Sequence, residues 1–426
     1  MTIEVAPPLK KQRIHSVEFW RFAFTFILIL YHLEIFFARE VRIFPSGTTA
    51  VEFFFMIAGF TIAMAAANRI ESGETREMTT REAHGMAIDF IKKKLIVIYP
   101  ILAVSLVIAF VVIPMISALQ QPAFGTFVLP GSEPGFWARF LEQINVLISS
   151  EWEWLMLVGS PFGLGAVGLE GLTAPILPLW FLTPLLTIGY LYTFLVYRKY
   201  DLMMFLTPLI AVVGHIYIGL HSHVSFHFSI QMGIFDAGAM RAVAQMALGI
   251  SIYQLYTYLK KRDWTLGKKI FLQIIELFAI YRFIMLTYMA GVGYDNFRRI
   301  PYVAIIILFA FLNVTFLSNL LNRKFMGKLG KISLPMFIIH HPIAVAYFWL
   351  MFRLGTGPGA RDLPMFVRRA AGTDEFFRPI SLSIGDLVMY ALSVIIISLL
   401  IQLIIFGIKT GISKYRSRNM AAPATQ

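Results

Sequence analysis

An arginine and a histidine eleven positions apart, Arg21 and His32, interrupt an otherwise apolar run, SVEFWRFAFTFILILYHLEIFF. At about 100° per residue, eleven steps return a helix almost to its starting azimuth, so both side chains share one face about 16 Å apart. Glu18 and Thr25 fall near the same face. An ionisable group costs free energy in hydrocarbon, so a polar stripe on a spanning helix marks a site or pathway facing the bundle interior. A neutral imidazole tolerates low dielectric better than a carboxylate and accepts a proton from a hydroxyl, as acyl transfer requires. A cationic end with a base further along the same face suits a long anionic donor, its phosphates docked at Arg21 and its reactive end at His32.

These residues need a membrane bundle to position them. Of 426 residues, 58% are hydrophobic, 15% aromatic and only 14% charged, and the mean hydropathy is +0.71. Such a chain is too apolar for a soluble protein of this size and reads as a multispanning, all-α integral membrane protein. The first apolar run is as long as a full span and is followed by many others, so it is not read as a cleaved signal. Apolar runs of about 20 residues predict about ten spans, near 16–37, 48–68, 95–117, 178–197, 202–220, 236–258, 270–290, 301–321, 332–351 and 384–408. An even number puts both termini on one side, and the basic residues assign that side to the cytoplasm of the cell membrane. Every lysine, including Lys92 to Lys94, Lys199, Lys260, Lys261 and Lys324, then falls inside, while Arg39, Arg42, Arg298, Arg299, Arg353, Arg361, Arg368, Arg369 and Arg378 fall outside. The net charge of +13 therefore reports topology rather than nucleic acid. No cysteine is present, which excludes thiolate metal sites and a cysteine nucleophile.

One domain, residues 1–413, is expected, followed by a short basic cytoplasmic tail at 414–426 expected to be disordered. Within the domain, 118–177 contains FWARFLEQINVLISSEWEWLMLVG, apolar but interrupted by Glu151 and Glu153, and is read as an outer interfacial or re-entrant segment. Residues 352–383 form an outer arginine-rich loop, either solvated rim charge or a capture surface for an anionic acceptor or lipid head group. The other chemistry-bearing groups read inside spans are Glu52, Glu276, Arg282, His340 and His341. No metal site is expected.

The Arg-x10-His pair resembles the signature that opens the acyltransferase 3 family of multispanning membrane acyltransferases. Four further elements occur in the family's order: VEFFFMIAGF at 51–60, with Glu52 as the acid, KKKLIVIYP at 92–100, PLWFL at 178–182 and LGKISLPMFIIHHPI at 329–343. The resemblance implies transfer of an acyl group, most often acetyl, from cytoplasmic acyl-CoA to a hydroxyl of an extracytoplasmic or lipid-linked carbohydrate. It implies no permanently bound cofactor. By that resemblance His32 is the catalytic base or a transient acyl carrier, Arg21, Lys93 and Lys94 hold the donor, and Glu18, Glu52, His340 and His341 support the site or the acceptor. The chain departs from the family pattern at Val97, where a second arginine is usual, at Ala58 for a serine and at Leu185 for a glutamate. No counterpart of the family's optional C-terminal hydrolase-like domain is seen, so the chain is expected to complete transfer alone or with a partner envelope-modifying protein. Two alternatives stay open: a transporter of a glycan or lipid-linked sugar, and a non-catalytic relative.

Overall fold

The computed structural model describes residues 14–36, 46–112, 180–221, 231–232, 235–289, 295–353 and 384–420, with a few isolated positions outside these stretches. Helices α1 (His15–Phe36), α2 (Ala50–Glu71), α3 (Thr80–Val107), α4 (Leu182–Arg198), α5 (Tyr200–His221), α6 (Ala237–Lys260) and α7 (Leu266–Met289) are followed by α8 (Asp295–Leu312), the short α9 (Phe316–Leu321), α10 (Lys324–Arg353) and α11 (Ile384–Met420). The described residues of each apolar run predicted from the sequence are helical, apart from Asp236 and a break at 313–315. Among the described residues, five helical stretches are long and apolar enough to cross a membrane: Gly47–Glu71, Trp180–Arg198, Tyr200–His221, Leu266–Tyr288 and Ile384–Ile408. A two-residue antiparallel pair, β1 (Gln231–Met232) and β2 (Phe235–Asp236), precedes α6.

The boundaries differ from expectation where local chemistry overrides hydropathy. Helix α3 starts fifteen residues before the apolar run at Leu95, because Thr79 and Glu82 form a reciprocal capping box. Those same bonds from Thr79 keep the Glu82 carboxyl below its usual range. The expected span 301–321 is broken after Leu312, where Asn313 adopts a φ of 52° and Thr315 caps α9 through Ser318 N–H. The tail expected to be disordered is helical as far as Met420, since no Gly or Pro follows Ser413 until after that point. The segments predicted at 118–177 and 352–383 lie outside the described residues except for isolated positions.

Helix α1 packs most extensively on α10, α2 on α6, α6 on α5 and α3 on α4. Small residues permit the closest approach. A Cβ added to Gly59 of α2 would run into the Met246 carbonyl of α6, and one added to Gly249 of α6 would run into the Met56 carbonyl of α2. Gly330 likewise leaves room on α10 for the Glu18 carboxylate of α1. The central Gly47–Glu71 stretch buries 72% of its most apolar window, while Leu266–Tyr288 and Ile384–Ile408 bury 22% each. The latter two are peripheral, and their exposed faces, with Phe271, Phe278, Leu403 and Phe406, are the surface that meets lipid. At the lysine-bearing end the α2–α3 connection is tied down by Lys199 Nζ to Glu77 Oε2 at 2.7 Å, Arg76 Nη1 to Asp201 Oδ1 at 2.9 Å and Arg198 Nη1 to the Met78 carbonyl at 2.9 Å.

Candidate active site

Packing of α1 against α10 joins two histidines that are 308 residues apart. His32 Nδ1 and His340 Nε2 are separated by 3.0 Å, and both residues are buried. The backbone assigns their protons. His340 Nδ1 lies 2.7 Å from the Phe337 carbonyl, which only accepts, so Nδ1 carries the hydrogen and Nε2 keeps a lone pair. His32 Nδ1 lies 3.0 Å from the Leu28 carbonyl, so it too carries a hydrogen, shared between that oxygen and His340 Nε2. In the neutral ring, His32 Nε2 then keeps a lone pair able to accept a proton. On α11, Tyr390 Oη donates to the His340 carbonyl at 3.0 Å. His341 is also buried, about 100° away around α10.

A second buried polar centre joins α2 to α6. Arg241 Nε donates to Glu52 Oε1 at 2.6 Å, and its Nη2 lies 2.5 Å from the same oxygen. Neither side chain is more than 1% exposed. The guanidinium also sits 5.2 Å from the Trp180 ring centroid, a favourable cation–π arrangement when desolvated. Aromatic rings connect the two centres: Trp180 touches Phe181, Phe181 lies 5.3 Å from Phe337, and Phe337 lies 6.1 Å from the His340 ring. Among the described residues no bond joins Glu52 to His32 or His340; its Oε1 holds Arg241, and its Oε2 is buried without a partner.

Arg241 is absent from the polar groups read inside spans, although it lies within the run 236–258. Its signal was there, since an arginine inside an apolar run needs a buried partner. Arg299, assigned from the sequence only to the outer side, is held inside the bundle. It is fully buried and donates from Nη1 to Thr49 Oγ1 at 2.8 Å and to the Ser46 carbonyl at 3.2 Å, and from Nε to the Leu286 carbonyl at 3.2 Å.

At the other end of α1, Arg21 forms the i,i+3 pair with Glu18 at 3.4 Å and is one-third exposed. Thr25, between the two ends of the stripe, turns its hydroxyl back to the Arg21 carbonyl at 2.8 Å. Arg21 and Lys94 are close enough for their charges to interact. Lys93 and Lys94 line a cavity of about 390 Å³ between α2, α3 and α4, together with Thr61, Phe90, Thr193 and Tyr197. Lys94 Nζ also rests 5.5 Å from the Phe90 ring centroid. The structure therefore gathers Arg21, Lys93 and Lys94 at one end and His32 with His340 further along. Glu276 stays apart, bonded to Gln273 and Thr315. Of the family departures, Ala58 and Leu185 are buried apolar contacts, and Val97 is half exposed on α3, one turn beyond Lys93.

No curated protein and no solved structure matches the chain. The acyltransferase domain model of the acyltransferase 3 family does match, over residues 14–406. Its span runs from the start of α1 into α11 and contains both histidines, the Glu52–Arg241 pair and the lysine-lined cavity. The chain belongs to the acyltransferase 3 family.

Proposed function

We propose that the protein is a multi-pass acyltransferase of the cell membrane, with ten spans in one domain and both termini in the cytoplasm. It moves an acyl group, acetyl in the simplest case, from acyl-CoA to a hydroxyl of an extracytoplasmic or lipid-linked carbohydrate. The observation that carries this reading is the paired imidazoles, whose carbonyl-fixed Nδ1 hydrogens leave Nε2 of a neutral His32 to accept a proton. In the proposed reaction, Nε2 takes the acceptor's hydroxyl proton as the oxygen bonds to the thioester carbonyl carbon. Collapse of the tetrahedral adduct breaks the C–S bond, and the leaving thiolate takes the proton from His32. His340 Nε2 holds the His32 Nδ1 hydrogen throughout, fixing the ring's tautomer and supporting the transient imidazolium. Donor phosphates lie against Lys93, Lys94 and Arg21, and the acyl end extends along α1 toward His32. Lysine ammonium groups serve here as point charges rather than bidentate forks.

Release of CoA thiol tests this directly, because a protein without cysteine gives no background with a thiol reagent. Purified protein in nanodiscs is expected to release thiol from acetyl-CoA when acceptor glycan is present. Replacing Lys93 and Lys94 together by Ala is expected to raise the donor KM about tenfold with kcat kept, the scale of one charge-assisted contact. A KM unchanged in that double variant would remove the cavity from the donor path.

Passage of a glycan is a second reading, and one observation favours it. The chain breaks between α8 and α9 at Asn313, and interrupted helices line substrate paths in transporters. Glycan crossing liposomes without thiol release would support this reading over transfer.

A further inference from the structure

Two buried arginines converge on the short 3-10 turn that leads into α2, Gly47–Thr49. Arg299 reaches it from α8, bonding the Ser46 carbonyl and Thr49 Oγ1 while its Nε holds the Leu286 carbonyl at the far end of α7. Arg241 reaches it from α6, with Nη2 3.4 Å from the Thr48 carbonyl. Thr49 Oγ1 in turn donates to the Ser46 carbonyl at 2.9 Å. A guanidinium has five donors in a rigid fork, so one side chain can fix several acceptors on different segments at once, as an ammonium cannot.

The clamped turn is wedged against α1 just before His32. A Cβ placed on Gly47 would meet Tyr31 Cβ and Cγ and lie 3.2 Å from the Ile27 carbonyl. Ile27 is chain neighbour to Leu28, whose carbonyl holds the His32 Nδ1 hydrogen, and the Tyr31 ring packs edge-on to His32 with centroids 5.1 Å apart. A continuous set of contacts thus runs from Arg299 through Ser46 and Thr49 to Gly47, then to Ile27 and Tyr31, and so to the imidazole pair.

Resting on the proposed function, we infer that Arg299 is a positioning residue for transfer: its clamp on Ser46–Thr49 presses Gly47 onto α1 and sets the His32 ring against His340. It touches neither donor nor acceptor. Misplacement of a reacting group by about 1 Å costs roughly 10²-fold in rate. Arg299 therefore acts on kcat and leaves donor binding alone.

The experiment pairs kinetics with an activity-independent readout, the rate at which diethyl pyrocarbonate modifies His32, followed by peptide mass spectrometry. In Arg299→Lys, kcat is expected to fall roughly 10- to 100-fold, donor KM to stay within about twofold, and the His32 modification rate to change. Gly47→Ala leaves Arg299 intact but pushes on Tyr31, and it is expected to give the same pattern. The exposed neighbour variant Arg298→Gln is expected to match wild type in all three. Should wild type release no thiol from any acyl-CoA, the proposed function fails while the modification rates still decide the clamp. His32 reactivity equal to wild type in both Arg299→Lys and Gly47→Ala would overturn the inference, as would a loss confined to protein amount.

Discussion

The His32–His340 pair and the Glu52–Arg241 pair are both buried, both link helices distant in sequence, and both stand within one chain of aromatic rings. They solve the burial of polarity in opposite ways. Each histidine is held by a backbone carbonyl on its own helix and by the other ring, an arrangement that neutral imidazoles can satisfy without a counter-charge. The carboxylate and guanidinium are opposite full charges whose mutual attraction and cation–π contact offset desolvation, and both guanidinium contacts fall on Glu52 Oε1, while Oε2 is buried with no hydrogen-bond partner among the described residues. A site that must exchange protons needs the first design; a strut between helices is better served by the second. Under the proposed function, removing one member is therefore expected to have different consequences in each, catalytic in the first and structural in the second.

The largest expected effect separates them on the catalytic side. His32→Ala removes the nitrogen that the proposed function uses as base, and kcat is expected to fall by about 10²–10⁴ with the amount of folded protein unchanged. The measurement is thiol release normalised to protein in the membrane. Full turnover in this variant would take the base out of the mechanism.

The strut is tested by stability. Glu52→Gln leaves a guanidinium buried without its counter-charge, and loss of one member of such a pair costs about 3–5 kcal/mol. A strongly lowered Tm in detergent is expected, with residual folded protein still turning over. Replacing both partners, Glu52→Leu with Arg241→Met, removes charge and counter-charge together and is expected to recover most of that stability. If Glu52→Gln keeps its Tm but loses turnover, the pair belongs with the chemistry and the contrast collapses.

Much of this comparison was half visible in the sequence. Hydropathy located the helices because a span is long and its apolar run has no other use. The single-helix geometry of Arg21 and His32 also followed from spacing alone. What joins His32 to His340 is the packing of α1 on α10, a contact across 308 residues that no periodicity encodes. Arg241 was legible in type but was overlooked within its apolar run, and Arg299 sat beside exposed Arg298 in a stretch that reads as a loop edge. The capping pattern Thr79-x-x-Glu82 stands in the sequence, but the span expected from hydropathy begins only at residue 95, so the early start of α3 was not among the expectations. The break at Asn313 had no Gly or Pro to announce it, and its left-handed φ is set by the tertiary fold.

The role of His340 refines the catalytic side at smaller magnitude. Asn at this position offers an amide oxygen that can accept the His32 Nδ1 hydrogen, although from a shorter side chain. His340→Asn is expected to lower kcat by up to about 10²-fold through a misplaced ring, with donor KM unchanged. His340→Ala is expected to be worse than His340→Asn, and equal losses in the two would mean that the accepted hydrogen bond is not what His340 contributes.

The smallest effect concerns the family's missing arginine and runs toward gain. Met86, Phe90 and Lys93 line the cavity at helical spacing, and Val97 is the next residue of that stripe, four positions after Lys93. It is 48% exposed, so a longer side chain meets open space rather than core. A guanidinium there would extend the cationic wall by one turn toward His32, and its fork binds phosphate bidentately, as lysine does not. Val97→Arg is expected to lower the donor KM about three- to tenfold, the range of an ordinary net hydrogen bond and less than a full charge-assisted one because the site is half exposed, while kcat stays as in wild type. Because the change adds a contact at the donor end and leaves the imidazole pair untouched, it separates donor capture from proton transfer. A raised KM or an altered kcat would show that this stripe of α3 does not face the donor.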